Sequence, residues 1–285
     1  MTSRRALLGI AASFALAAAA FCAESGDPVS STVARSESPF LQEMQERIAG
    51  VKVSIIQDAG SREVARIDHP VFRYSDEERE IFDATLWLWT DDGRPIALQK
   101  DEAAASDGVP KWTVCFASFA AQNLDVRWPR GGQEFTTKAA GCDFVTIPDP
   151  PKPADNDRIV RSQIKQIAKR FSAACSYEGR GRSVARLLTK PIHEYESRKH
   201  GVVAGAIFGF ASYGTNPDGY ILIELRKTPS GQEWVYGCAR MTIYAVEVLL
   251  DDKPVWDCEA VRPTPQYFDR WTFFVEPRTP GASSP

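Results

Sequence analysis

Apolar residues follow two patterns along the chain, a four-four-three spacing and then short continuous runs. Two sets of residues share the first spacing: Phe40, Met44, Ile48 and Val51, and then Val160, Ile164, Ala168 and Phe171. This spacing places each set on one face of a helix. Asp157 can cap the second predicted helix, whose apolar stripe is the broader of the two.

The short apolar runs that come after each helix predict β-strands. Examples are Leu86–Trp89, Ile221–Ile223 and Val246–Leu250, the last broken only by Glu247. Turn sequences rich in Asp, Asn, Pro and Gly separate these runs. Such short connections join antiparallel neighbours, because a parallel crossover needs about a dozen residues. Each helix is therefore predicted to precede an antiparallel sheet of four or five strands.

Five sequence matches in the same order predict an internal duplication. Val64-Ala65-Arg66 recurs as Val184-Ala185-Arg186 at an offset of 120, and Trp112-Thr113-Val114 recurs as Trp234-Val235-Tyr236 at an offset of 122. The matches between them pair Pro70–Tyr74 with Pro191–Tyr195, Asp83–Trp89 with Ala204–Phe210, and Pro95–Leu98 with Tyr220–Ile223. We predict an α+β fold in which two helix-plus-sheet copies pack together, because one helix leaves a face of its sheet open.

The matches also predict where the units begin and end. The predicted segments are a signal peptide over 1–23, a disordered segment over 24–38, the first repeat over 39–146, a Pro-rich linker over 147–156, the second repeat over 157–276 and a disordered tail over 277–285. Four prolines between positions 147 and 153 favour an extended, semi-rigid spacer.

The N-terminus indicates export. Arg4 and Arg5 precede the apolar run Ala6–Phe21, which is the order of a secretory signal and too short and alanine-rich for a spanning helix. Cleavage after Ala20 satisfies the small-x-small rule. The two arginines leave both the general secretory and the twin-arginine routes open. We predict a location in the periplasm, on the cell surface or outside the cell.

Charge and cysteine content narrow the function classes. The net charge of -3 and the absence of a basic stripe argue against nucleic-acid binding. The acidic and basic residues alternate as they do on a solvated surface. The mature cysteines form no Cys-x-x-Cys pair, and both disulfides and buried thiols remain open for Cys115, Cys142, Cys175, Cys238 and Cys258.

No known catalytic or cofactor motif occurs in the sequence. Three histidines without ligand spacing predict no metal site and no cofactor. The candidate catalytic residues are His193 with Glu194, as a general base and its partner, and Arg240 as an anion-binding group. Adjacent residues of a strand point to opposite faces, however, and a strand Arg commonly pairs with a neighbouring carboxylate.

Tryptophans offer a second kind of site, a stacking platform for carbohydrate. The seven are Trp87, Trp89, Trp112, Trp128, Trp234, Trp256 and Trp271. Most lie within predicted strands at matched positions, where core packing explains them. Trp256 and Trp271 lie outside the core that the two repeats share and are the remaining candidates for a platform.

Several short words resemble those of a group of uncharacterised secreted proteins of planctomycete bacteria. They are Arg-Tyr-Ser at 73–75, Leu-Trp-Leu-Trp at 86–89, Gly-Arg-Pro at 93–95, Trp-Val-Tyr at 234–236, Ala-Arg-Met-Thr at 239–242 and Val-Trp at 255–256. The resemblance spans residues 64–276. It implies export and a duplicated layout, and it assigns no activity and no catalytic residue.

The sequence therefore predicts an exported binding or scaffold protein that is not an enzyme and whose ligand and partner are unknown. The alternative is a hydrolase-like enzyme with a site between the repeats, formed by His193, Glu194 and Arg240. A third alternative is a subunit of an envelope assembly, which would present an exposed sheet edge or apolar patch to a protein partner.

Overall fold

Strands account for most of the structure. The computed structural model describes residues 38–106, 108–177, 181–262 and 266–278. Of these residues, 56% lie in strands and 11% in helices. The predicted α+β class is therefore wrong, and so is the predicted unit of one helix with a four- or five-stranded sheet. The predicted signal peptide, residues 24–37 and residues 279–285 lie outside the described part.

The described part of the first half contains one α-helix and ten strands. In order they are α1 (Pro39–Ala49), β1 (Lys52–Gln57), β2 (Gly60–Glu63), β3 (Ala65–Arg66), β4 (Phe72–Asp76), a 3-10 turn (Glu77–Arg79), β5 (Ile81–Asp91), β6 (Arg94–Ser106), β7 (Val109–Ser118), β8 (Leu124–Trp128), β9 (Gln133–Thr136) and β10 (Val145–Thr146).

Among its described residues, the second half also contains one α-helix and ten strands. In order they are α2 (Asp157–Ala168), β11 (Phe171–Tyr177), β12 (Gly181–Leu187), β13 (His193–Ser197), β14 (Val202–Ala211), β15 (Gly219–Thr228), β16 (Gly231–Arg240), β17 (Ala245–Leu250), β18 (Lys253–Cys258), β19 (Gln266–Tyr267) and β20 (Trp271–Pro277).

All strand pairs in the described part are antiparallel, and they form three sheets. The first sheet has the order β2-β1-β8-β9. The second has the order β19-β20-β7-β6-β5-β3, with β4 also paired to β5. The third has the order β10-β16-β15-β14-β12-β11-β17-β18, with β13 also paired to β14.

The strand pairings of the two halves correspond. In the first half, β1 pairs with β2 and β8, and β5 pairs with β3, β4 and β6. In the second half, β11 pairs with β12 and β17, and β14 pairs with β12, β13 and β15. Strand β12 pairs with both β11 and β14, whereas in the first half β2 pairs with β1 and a separate strand, β3, pairs with β5. The third sheet is therefore continuous, while the first two sheets are separate.

The last strand of each half pairs with a strand of the other half. β20 pairs with β7, from Trp271 opposite Ala117 to Pro277 opposite Lys111. In return, β10 pairs with β16, with Val145 opposite Tyr236. The second and the third sheet therefore each contain a strand from the other half of the chain.

Strands rather than helices cover most of each sheet, and this is the physical reason why the α+β prediction fails. Helix α2 buries only a narrow stripe, namely Val160, Ile164, Ile167 and Ala168. In the first half, β1, β8 and β9 fold over β5, β6 and β7 to enclose an aromatic-rich core. The helix closes only part of each core. The N-cap of α2 is Asn156, which accepts from the N–H groups of Arg158 and Ile159, and not the predicted Asp157.

The sequence Leu-Trp-Leu-Trp of β5 is apolar throughout because both faces of the strand are buried. Leu86 and Leu88 pack into a central core between the two halves. Trp87 and Trp89 point the other way, into the core of the first half. This alternation follows from the two-residue period of a strand.

The turn between β5 and β6 binds the halves together. Asp92 and Gly93 both have positive φ values, 51° and 80°, as a tight type I′ turn requires. A Cβ atom on Gly93 would lie 2.6 Å from the backbone oxygen of Glu196 in the second half. The Asp92 carboxylate accepts from the Ser197 hydroxyl at 3.0 Å. Only glycine permits this close approach.

The predicted proline linker lies along the second half. Ile147 is buried in the core of that half, and its N–H donates to the Trp234 carbonyl. The Trp234 indole donates in turn to the Pro151 carbonyl at 3.0 Å. Gln163 of α2 donates to the Lys152 carbonyl at 2.7 Å. These contacts hold the linker against the sheet along its length.

Asp101 is a buried carboxylate of β6 that is 1% exposed. Burial raises the pKa of Asp101 to about 6, and Arg47 and Gln99 oppose this rise. The Arg47 Nε atom lies 3.8 Å from Asp101 Oδ1, while the Arg47 guanidinium makes its close contact with Glu276 at 2.7 Å. Ionised Asp101 is therefore only weakly compensated.

The raised pKa of Asp101 predicts a pH-dependent cost to stability. Between the unfolded pKa of 3.8 and the folded pKa of about 6, the native state binds more protons than the unfolded state, so the contribution of Asp101 falls as the pH rises. The free energy of unfolding of Asp101→Asn, compared with that of the wild type, should therefore rise by roughly 2 kcal/mol from pH 4 to pH 7. Urea unfolding at both pH values measures this. The substitution Asp58→Asn at an exposed position serves as the control.

Candidate functional site

His193 and Glu194 face different surroundings on strand β13. The His193 ring stacks on the ring of Tyr195, with the centroids 6.1 Å apart, and burial lowers the pKa of His193 below its ordinary value. Glu194 faces helix α2, where nitrogens of Arg161 and Lys165 lie 3.2 and 3.5 Å from its carboxylate. The two residues therefore do not form an acid–base pair in one cleft.

The Arg240 side chain stabilises loops through hydrogen bonds to backbone carbonyls. Its guanidinium donates to the backbone carbonyls of Thr242, Tyr244 and Glu259 over 2.6–3.0 Å. The same group lies 4.8 Å from the centre of the Trp271 ring. Arg240 and Glu194 line different clefts, so the structure does not bring the three predicted residues together.

The tryptophan candidates also lack a free platform. Trp256 and Trp271 line one cleft with Arg240. The Trp271 ring, however, already stacks on Phe268, with the centroids 4.5 Å apart, in addition to its contact with Arg240. The other five tryptophans are at least 96% buried, namely Trp87, Trp89, Trp112, Trp128 and Trp234. Core packing accounts for them.

The five described cysteines are free thiols. Burial raises the pKa of Cys115, Cys142 and Cys175 to about 12. Burial also raises the pKa of Cys238 and Cys258. Thiolate is the reactive form of cysteine, so these side chains are poor nucleophiles at neutral pH.

A cleft of about 490 Å³ opens between the two halves, and we call it the junction cleft. β6 and β7 supply Lys100, Glu102, Thr113 and Cys115, and the second half supplies Tyr213, Asn216 and residues 241–244. Phe273 and Val275 of the exchanged strand β20 add an apolar wall. The charged residues Glu78, Glu80 and Lys111 are also part of its lining, with Arg79. Its volume is in the range of small-molecule sites.

Lys100 is buried and connects the two halves through hydrogen bonds. Its ammonium donates to Asn216 Oδ1 at 2.9 Å and to the carbonyl of Met241 at 3.2 Å. A third hydrogen bond goes to the carbonyl of Pro217. An ammonium has three donors, so Lys100 has none left for a ligand.

Glu102 lies at the floor of the junction cleft and is 7% exposed. Its Oε1 accepts from the Tyr74 hydroxyl at 2.7 Å. Burial raises the pKa of Tyr74 well above its ordinary value, and Glu102 adds to the rise, so the hydroxyl keeps its proton and donates. No described residue donates a hydrogen bond to Glu102 Oε2 or forms an ion pair with this carboxylate.

Beside the cleft, Arg79 joins the 3-10 turn to the second half. Its guanidinium donates to Asp218 Oδ1 at 2.9 Å and lies 3.4 Å from Asp76 Oδ2. Asn216 donates to the same Asp76 oxygen at 3.3 Å. Arg79 therefore carries its own counter-ions, and its charge is not available to balance Glu102.

A second tyrosine–glutamate pair occupies the corresponding place in the second half. The Tyr195 hydroxyl donates to Glu224 Oε1 at 2.9 Å. Arg94 also donates to Oε1, at 2.9 Å, and Arg226 donates to Oε2. Both guanidinium groups lie over the Phe144 ring, at 5.0 and 4.0 Å from its centre. Glu224 is completely buried.

The strand register shows that the two pairs are equivalent. Tyr74 lies opposite Ala84, which lies opposite Glu102. Tyr195 lies opposite Gly205, which lies opposite Glu224. The sequence matches included both tyrosines but neither glutamate, because the match of Pro95–Leu98 with Tyr220–Ile223 is shifted by three residues from the structural register.

Comparisons with known proteins add no relative: no family model, curated protein or solved structure matches this chain. The resemblance to secreted planctomycete proteins therefore stays a prediction. The described residues contain no group of three or more His, Cys, Asp or Glu side chains that could hold a metal ion. None of their helices has the length and apolar character that crossing a membrane demands.

Proposed function

We propose that this chain is an exported binding protein that holds a small ligand in the junction cleft and does not transform it. The observation that carries the proposal is the floor of the cleft. There, the Lys100 donors are all used and the Cys115 thiol has a pKa of about 12, while the Glu102 carboxylate keeps one oxygen without a donor. Such a floor supports recognition of a ligand better than nucleophilic or acid–base chemistry.

The proposed location rests on the N-terminal sequence. Arg4, Arg5 and the apolar run Ala6–Phe21 support export to the periplasm, the cell surface or beyond. The net charge of -3 supports a ligand or protein partner of the envelope rather than a nucleic acid. The alternative of a hydrolase has less support, because His193, Glu194 and Arg240 lie in separate surroundings.

A variant that fills the cleft tests the proposal. Thr113 lines the cleft and is partly exposed, so Thr113→Trp should place an indole in the cleft without disturbing a core. A panel of amines, amino acids, sugars and organic acids is screened by thermal shift. We expect at least one compound to raise the Tm of the wild type but not that of the variant, and to be recovered unchanged by mass spectrometry.

Two results would count against this function. One is that every stabilising compound acts equally on the wild type and on Thr113→Trp, which would place binding elsewhere. The other is that a bound compound is recovered as a product, which would make the protein an enzyme.

A further inference from the structure

The two equivalent carboxylates differ in what surrounds them. Glu224 is closed off from solvent and receives two arginine side chains. Glu102 has the same tyrosine partner and the same register position, but it faces a cleft and receives no cation from the described residues. The chain thus contains one filled and one open version of the same site.

The filled version shows which chemistry suits this position. Arg94 and Arg226 approach Glu224 through Nε–H groups, and Phe144 lies beneath both guanidinium planes. A planar guanidinium can donate two parallel hydrogen bonds to a carboxylate and can stack on an aromatic ring. The tyrosine–glutamate pair of this fold therefore accommodates a guanidinium.

The open version has a charge that needs a partner. A buried carboxylate is costly unless a cation or several donors compensate it. Neither of the nearby cations contacts the Glu102 carboxylate: Lys100 donates its three hydrogen bonds to neutral oxygens, and Arg79 contacts Asp218 and Asp76. The cleft lining as a whole contains three acidic residues, Glu78, Glu80 and Glu102, and three basic residues, Arg79, Lys100 and Lys111, so it has no net positive charge that would repel a cation.

We propose that the ligand of the junction cleft carries a guanidinium group, which binds the Glu102 carboxylate as Arg94 and Arg226 bind Glu224. This inference rests on the proposed binding function and specifies its ligand class. The guanidinium donates to Glu102 Oε2, and the remainder of the ligand lies between the apolar wall of Phe273 and the loops of the second half. The cleft volume of about 490 Å³ accommodates a molecule of the size of an amino acid or a short peptide.

Calorimetric titration of the intact protein with L-arginine and L-citrulline tests the ligand class. The two probes have nearly the same shape, but citrulline has a neutral ureido group in place of the guanidinium. We expect saturable binding of arginine to the wild type and at least about tenfold weaker binding of citrulline. Glu102→Gln should weaken arginine binding by about tenfold or more, while the control Glu46→Gln, at an exposed position outside the cleft, should bind arginine like the wild type.

The outcomes separate this inference from the proposed function. Equal binding of the two probes, unchanged binding by Glu102→Gln, or no saturable binding of arginine would overturn the guanidinium proposal. If a compound without a cationic group protects the wild type but not Thr113→Trp, the binding function stands and the ligand class is wrong. If no compound distinguishes these two proteins, both proposals fail. Should Glu102→Gln not fold, loss of arginine binding in Thr113→Trp supports the site, and retention contradicts it.

Discussion

A chain truncated after Val261 is expected to lose its folded structure. The truncation removes β20, which pairs with β7 over seven positions and belongs to two cores at once. Trp271 and Phe273 pack into the central core, and Phe274 packs into the core of the first half. Loss of one buried aromatic side chain costs about 3–5 kcal/mol, so the loss of three exceeds or matches a typical stability of about 5–15 kcal/mol.

Circular dichroism, gel filtration and thermal melting compare this truncation with a matched control. The control ends after Arg278 and removes only residues that follow β20. It should melt like the full chain, whereas the chain ending at Val261 should be insoluble or lack a cooperative transition. A peptide of residues 266–278 added during refolding should restore a transition. A cooperative melt of the shorter chain near the wild-type Tm would show that the exchanged strand is dispensable.

Glu224→Gln is expected to lower the free energy of unfolding by about 3–5 kcal/mol. The substitution keeps the shape of the side chain and an acceptor for Tyr195, but it leaves the charges of Arg94 and Arg226 without their carboxylate. Arg94 is 6% exposed, so water cannot replace that partner. Urea unfolding measures the loss. A change below about 1 kcal/mol would mean that the arginines find other partners or solvent.

The elements of the fold could largely be predicted from periodicity and turn chemistry. Helices were expected near Pro39–Ala49 and after Asp157, and the apolar runs around Leu86, Ile221 and Val246 are strands. The helical spacing includes Phe171, but Phe171 begins β11, because a buried first strand residue can continue a helical spacing by chance. Ile159 of the same helix is apolar but 52% exposed, so the buried stripe of α2 does not include every apolar residue of the helix.

The arrangement of these elements could not be predicted in the same way. The exchange of β10 and β20 joins residues more than 80 positions apart, and short-range patterns contain no information on such pairings. The strands that fold over each sheet replace the helical layer expected from the α+β prediction. Their burial on one face resembles that of a simple meander, so periodicity alone does not distinguish the two.

The sequence does not reveal the candidate site, because its charged residues resemble residues exposed to solvent. The alternation of acidic and basic residues along the chain is typical of a solvated surface, yet Lys100, Asp101 and Glu102 are 1%, 1% and 7% exposed. The charges are buried because partners from the other half reach them, as Asn216 does for Lys100. A correct register between the halves would have aligned Glu102 with Glu224 at an offset of 122, the offset already seen for Trp112 and Trp234.

The free energies of unfolding of Glu102→Gln and Glu224→Gln, measured without added ligand, decide whether the open site exists. Glu224 is paired inside the protein, whereas Glu102 has no cationic partner among the described residues. We predict that Glu102→Gln stays within about 1 kcal/mol of the wild type, or gains stability, while Glu224→Gln loses several kcal/mol. Equal losses for the two variants would mean that Glu102 is already compensated within the fold, and the open site would not exist.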